Sequence, residues 1–228
     1  GCSEASCTYL FAVDQASNTT PTGTYASTTT ATQASGNGTY YIHVIAKDAA
    51  GNTSAVAHYS AVLDNQAPGA PSSLSLVTPA SSPGNNATPT IQIGGVSAGD
   101  TNELYGDSAC TTSLASGTAS GTTISLTSSS LGADGTKSFY AKAVDGAGNA
   151  SACSTVTLSY VLDTAAPTLT GLANDATPAQ SKSWSWGCSD SSTPCTYLFA
   201  VDTSATTTPT GTYGSSTTTT QSSGTGTY

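Results

Sequence analysis

The first forty residues of the chain return at its end. The segment TYLFAVDQASNTTPTGTYASTTTATQASGNGTY, closing on Tyr40, reappears as TYLFAVDTSATTTPTGTYGSSTTTTQSSGTGTY, closing on Tyr228. Tyr25 maps onto Tyr213, a period of 213 − 25 = 188 residues, and Cys2 maps onto Cys188 because the second copy carries two extra residues before Cys195. One such period is too long for a single small β-domain and about right for two.

A more divergent echo divides the period. IHVIAKDAAGNTSAVAHYSAVLDNQAP, from residue 42, matches FYAKAVDGAGNASACSTVTLSYVLDTAAP, from residue 139, and sets Asp64 and Asp163 apart by 163 − 64 = 99 residues. Two domain types therefore alternate: residues 1–64 form a type-A domain lacking its first strands, 65–163 a complete type-B domain, and 164–228 a type-A domain lacking its last strands. Donor-strand exchange between subunits is one way to complete such halves. The ends, however, overlap by about forty equivalent residues, so pairing them leaves duplicate strands. The reading preferred on that ground is a register cut from a long A-B-A-B array.

Strand signals dominate. No sustained i, i+3, i+4 pattern occurs, whereas alternating Val, Ile, Thr and Tyr recur between Gly, Asn, Asp and Pro clusters, so the chain is expected to be all-β. Tyr40, Ile42, Val44 and Ala46 fall on one face, as do Lys137, Phe139, Ala141 and Ala143 in the second type. In the following strand Tyr59, Ala61 and Leu63 align with Leu158, Tyr160 and Leu162; these sets are the expected core faces. AKDAAGN and AVDGAGN read as tight hairpins, with Gly51 or Gly148 supplying positive φ and the Asp and Asn side chains bonding nearby amides. Trp184 and Trp186 share a face and are expected to plug a core. Tyr40 and Tyr228, each after Gly-Thr, suit a tyrosine corner.

Charge excludes several partners. Thirteen acidic residues face four basic ones, all lysine, for a net charge of −9. Nucleic acid and anionic membranes need a cationic footprint that this chain lacks. Charged residues are only 7% of the chain against about 25% in ordinary domains, so solubility rests on Ser and Thr, which fill roughly a third of it. No run approaches the length of a membrane helix, so no membrane insertion is expected of this segment.

TPTIQIGG, the D-G-T turn of SLGADGTKSFYAKAV, the A-x-D-x-A-G-N hairpin and the closing VLDTAAPT, spanning residues 88–168, together resemble the tandem bacterial immunoglobulin-like (Big-type) domains of large cell-surface adhesins and extracellular fibres. The resemblance implies seven-stranded or similar Greek-key β-sandwiches in a head-to-tail array. It also implies a role as a structural repeat segment: a rigid spacer in an adhesin stalk or extracellular fibre, on the cell surface or secreted. Its partners are then copies of itself, and host or neighbouring-cell surface glycans or proteins. The alternative is an adhesion module that binds carbohydrate or protein through loop tips, around Asn102–Tyr105 or in the Thr-rich loops.

Six cysteines, an even number, point to bridges in an oxidising environment. The repeat makes Cys2–Cys7 and Cys188–Cys195 equivalent pairs and leaves Cys110–Cys153 to the type-B domain. Calcium is the sharper ligand idea, and otherwise no cofactor is expected. Asp48, Asn52 and Asp64, and again Asp145, Asn149 and Asp163, place hard oxygen donors at a hairpin and a domain junction. The resembled adhesins hold calcium at such junctions; the same residues also serve plain turn chemistry. An enzyme is not expected: His43 and His58 lie on adjacent strands with outward parity, without a serine elbow or phosphate loop nearby.

Overall fold

A computed structural model describes residues 6–190, 194–224 and 226–227. The described chain forms fourteen β-strands and no helix, and every pairing between them is antiparallel.

The best-closed part lies between residues 73 and 162. Strands β4 (Ser73–Thr78), β5 (Thr90–Gly94) and β8 (Thr123–Thr127) form one sheet in the order β4-β5-β8. Strands β6 (Thr101–Tyr105), β7 (Ser113–Thr118), β9 (Gly135–Val144) and β10 (Leu158–Leu162) form a second in the order β10-β9-β6-β7. Both contribute to one apolar cluster: Ile91 and Ile93 from β5, Leu104 from β6, Phe139 and Ala141 from β9, Tyr160 and Leu162 from β10. Phe139 is 0% exposed. Each large side chain buried this completely stabilises the fold by about 1.5–3 kcal/mol, and strict alternation keeps all of them on one face of their strands. The type-B face expected from the sequence is therefore the buried one at Phe139, Ala141 and Ala143.

Residues before and after this body form smaller sheets. Strands β1 (Thr8–Asp14), β2 (Gly38–Lys47) and β3 (Ala57–Leu63) make a three-stranded sheet in the order β1-β2-β3. Thr8 pairs with Lys47 as Thr101 of β6 pairs with Val144 of β9. The sheet is thus the repeat-related counterpart of β6-β9-β10. Its expected core face is only half-covered, and Tyr59 is 70% exposed. At the other end β11 (Thr168–Thr170) pairs with β13 (Gly187–Ser189), and β12 (Lys182–Ser185) with β14 (Thr218–Gln221). Only Trp186 separates β12 from β13, so the two follow one another along one extended stretch, its first part paired with β14 and its last with β11.

Both expected hairpins form. Gly51 and Gly148 adopt φ of 97° and 91°, which a side chain would disfavour. Asp48 and Asp145 donate their backbone N–H to Asn52 and Asn149 carbonyls at 3.0 and 3.1 Å.

Two expectations need correction. Asn102–Tyr105 is not a loop tip: it lies within β6, with Asn102 and Leu104 buried, because alternation turns both inward between β7 and β9. Nor is His43 solvent-facing: it keeps the outward parity, yet it is 0% exposed. Its cross-strand neighbours Ala12 and His58, the stacked Tyr41 ring and Asp14 enclose it. Tyr40 lies over Gly36, at φ 103°, where any Cβ would collide with its hydroxyl, while Tyr228 lies outside the described residues.

Candidate functional site

The polar side chains with the most specific geometry gather at the two junctions. Asn37 precedes the glycine that opens β2, and its side-chain oxygen accepts the backbone N–H of Asn65 at 2.7 Å, just beyond the end of β3. Asp134 precedes the glycine that opens β9 and takes the backbone N–H and the hydroxyl of Thr164, each at 2.9 Å, just beyond β10. The same device recurs at both linkers. A short acceptor at the start of the long central strand grips the second residue beyond the last strand. One residue earlier in each linker, Asp64 and Asp163 accept the N–H of Gln66 and Ala165 at 3.0 and 3.2 Å, closing an Asx turn before the proline. The D-G-T turn that holds Asp134 is legible in the sequence, but the bonds by which Asp134 and Asn37 hold the linkers are not; the shared signal is their place before Gly-Thr.

The hairpin carboxylates face backbone and amide donors. Asp48 accepts from the Asn52 backbone N–H at 2.8 Å and from Asn52 Nδ2 at 2.7 Å. Asp145 accepts from the backbone N–H groups of Ala147 and Asn149 and from Asn149 Nδ2, all at 2.9 Å. The Asn52 and Asn149 side chains, first among these donors, hold the two carboxyls below the ordinary value of 3.8. Asn149 Nδ2 also donates to the backbone carbonyl of Asp64 at 3.1 Å, which ties the hairpin of the central body to the preceding linker. Of the six residues considered for calcium, the structure brings together Asp48 with Asn52, and Asp145 with Asn149 and the Asp64 carbonyl. Asp163 stands at the other junction. Among the described residues no group of three or more His, Cys, Asp or Glu side chains gathers as a metal site.

On the first sheet, His43 and His58 meet at 2.6 Å between their Nδ1 atoms, and His43 Nε2 lies 3.3 Å from Asp14 Oδ1. An ionised Asp14 can only accept, so Nε2 of His43 carries the hydrogen, and its Nδ1 is left as the acceptor for His58 Nδ1–H. Asp14, His43 and His58 thus form one hydrogen-bonded chain across β1, β2 and β3. Thr19, and after it the Ala16 amide and His43, hold the Asp14 carboxyl below its ordinary value.

Cysteine geometry differs by pair. The structure joins Cys110 to Cys153, Cα atoms 5.8 Å apart, from the loop after β6 to the segment between β9 and β10. It joins Cys188 to Cys195, Cα atoms 6.4 Å apart. Cys2 lies outside the described residues, and the expected Cys2–Cys7 pair falls there with it. Two such bridges suit an oxidising environment, and no helix among the described residues is long and apolar enough to cross a membrane.

The two Trp side chains do not sit in a closed core. Trp184 and Trp186 line an open groove of about 460 Å³ with Leu169, Leu172, Phe199 and Tyr213. The Trp186 and Phe199 ring centres lie 4.8 Å apart. No protein-family model and no curated protein matches the chain.

Proposed function

We propose that the chain is a structural repeat segment of an extracellular fibre or surface-adhesin stalk, a disulfide-stabilised spacer built from immunoglobulin-like Greek-key sandwiches arranged head to tail. The observation that carries this reading is the repeated junction clamp. Asn37 grips Asn65 and Asp134 grips Thr164 in two domain types whose sequences otherwise diverge. A catalytic or ligand-binding role gives no reason to repeat that geometry at successive linkers, whereas a spacer must limit bending at each one. Proline at Pro68 and Pro167 acts in the same direction, because it fixes its own φ and restricts the residue before it. The order β4-β5-β8 against β10-β9-β6-β7 supports the sandwich reading. A low charge density over a hydroxyl-rich surface suits close lateral neighbours.

Electron microscopy of the native material tests the proposal. A thin fibre with an axial repeat of two domains is expected. Isolated compact particles without periodicity would sink it, and specific retention of the chain on a glycan array would instead favour adhesion through its surface.

A further inference from the structure

The outward face of the first sheet carries both histidines of the chain, and they face each other. Cross-strand pairing of His43 on β2 with His58 on β3 sets the two rings on one side of the sheet, opposite Ile42 and Val44. Their Nδ1 atoms stand 2.6 Å apart, with the ring planes at 71°. Behind His43, Asp14 of β1 takes the Nε2 hydrogen at 3.3 Å. That bond orients the ring and leaves the Nδ1 lone pair aimed at His58. Asp14 is steadied in turn by the Ala16 N–H at 2.8 Å. His43 is 0% exposed whereas His58 is exposed, so an ion reaches the pair from the His58 side.

We propose that His43 and His58 form a two-nitrogen site for a divalent transition-metal ion, copper(II) above all. A carboxylate on the far nitrogen of a ligating imidazole is the usual support of a metal-bound histidine, and Asp14 gives His43 that support. Asp14 is thus a positioning residue and not a third ligand, in keeping with the lack of a three-residue cluster among the described residues. The inference does not depend on the fibre role.

Spacing selects the ion. At a metal–nitrogen distance of about 2.0–2.1 Å, two ligands at the right angle of a square-planar ion stand about 2.9 Å apart, and two at the tetrahedral angle about 3.3 Å. The observed 2.6 Å is nearer the square-planar value, and copper(II) heads the affinity order for nitrogen sites. On binding, the His58 hydrogen moves from Nδ1 to Nε2, both Nδ1 lone pairs meet the ion, and water fills its remaining positions.

Copper(II) titrated into the 228-residue chain tests this, because the chain has no other histidine. The wild type is expected to take up one equivalent, with two imidazole nitrogen couplings in the electron paramagnetic resonance spectrum and a melting temperature raised by several degrees. His58→Gln, at the exposed position, should show one coupling at most and lose that rise; amide exchange in β2 and β3 verifies that its strands persist. Asp14→Asn should keep both couplings but bind about tenfold or more weakly, as loss of a supporting carboxylate does. A wild type without the two-nitrogen signal overturns the proposal, and so does His58→Gln that binds copper as the wild type does. Unchanged affinity in Asp14→Asn overturns the positioning role of Asp14.

Discussion

Asp134 holds Thr164 by two hydrogen bonds of 2.9 Å, one to the backbone N–H and one to the hydroxyl. The carboxylate stands at the start of β9 and the threonine just past the end of β10, so one side chain fixes the direction in which the chain leaves the central body. Asp134→Ala should lower the stability of that body by about 1 kcal/mol, the usual net worth of such bonds at an exposed site. Asp134→Asn, which retains an acceptor, should recover most of it. Chemical denaturation of both variants checks the order; equal stability of Asp134→Ala and wild type would show that the clamp carries no load.

The buried histidine gives a second prediction. His58→Ala removes the donor to His43 Nδ1 and leaves a buried acceptor unpaired, at a cost of about 1–3 kcal/mol. Amide exchange in β2 should accelerate accordingly. Replacing both rings, as in His43→Phe with His58→Ala, should cost less than the two single changes summed, because no polar atom is then stranded.

Acid should loosen the turns before the cores. The Thr112 backbone N–H, first among its donors, holds Asp107 down to about 2 from the ordinary 3.8, and Asp48 and Asp145 are lowered by their asparagines. Carboxyls with a folded value below the unfolded one stabilise fully above about pH 4, and that contribution fades as pH falls from 3.8 towards about 2. Loop amides at Thr111 and Thr112 should therefore exchange faster across this window, and Asp107→Asn should abolish the pH dependence there.

Calcium would have to compete with these same N–H donors. Because Asp48 and Asp145 already accept from them, adding millimolar calcium to chelator-treated protein should leave its melting temperature within about a degree. A rise of several degrees, lost in Asp145→Asn, would establish a junction metal site.

The long-range disulfide should dominate covalent stabilisation. Cys110 and Cys153 are separated by 43 residues, for which the chain-entropy model gives about 4 kcal/mol. The Cys110→Ser, Cys153→Ser double variant should lose an amount of that order, measured by denaturation of the non-reduced proteins.

Local physics made part of the molecule legible. The hairpins follow from Asp, Asn and the glycine just before that Asn within five residues, and the face of Phe139, Ala141 and Ala143 from a period of two. Parity could not tell how well a face is covered. His43 has outward parity and is buried because Tyr41, His58 and Asp14 surround it, contacts that only the register of three strands brings together. Asn102 looked like a polar loop residue, since its neighbours across β7 and β9 are remote in sequence. The clamps escaped notice for the same reason: Asn37 and Asp134 find their partners about thirty residues further on.

The identical TYLFAVD segments show where sequence stops deciding. Sequence by itself determined an all-β chain, its hairpins and the return of its opening segment at its end. It could not determine which copy of a shared segment becomes a strand. Thr8–Asp14 is β1 because β2 lies beside it, whereas the identical Thr196–Asp202 makes one bridge, Tyr197 to Gly214, among the described residues. Conversely, Thr218–Gln221 is β14 because β12 offers an edge, while its counterpart at residues 30–33 stays exposed and unpaired in the sheets. An extended segment gains its hydrogen bonds only from a neighbour, so tertiary structure, by supplying or withholding that neighbour, made the choice.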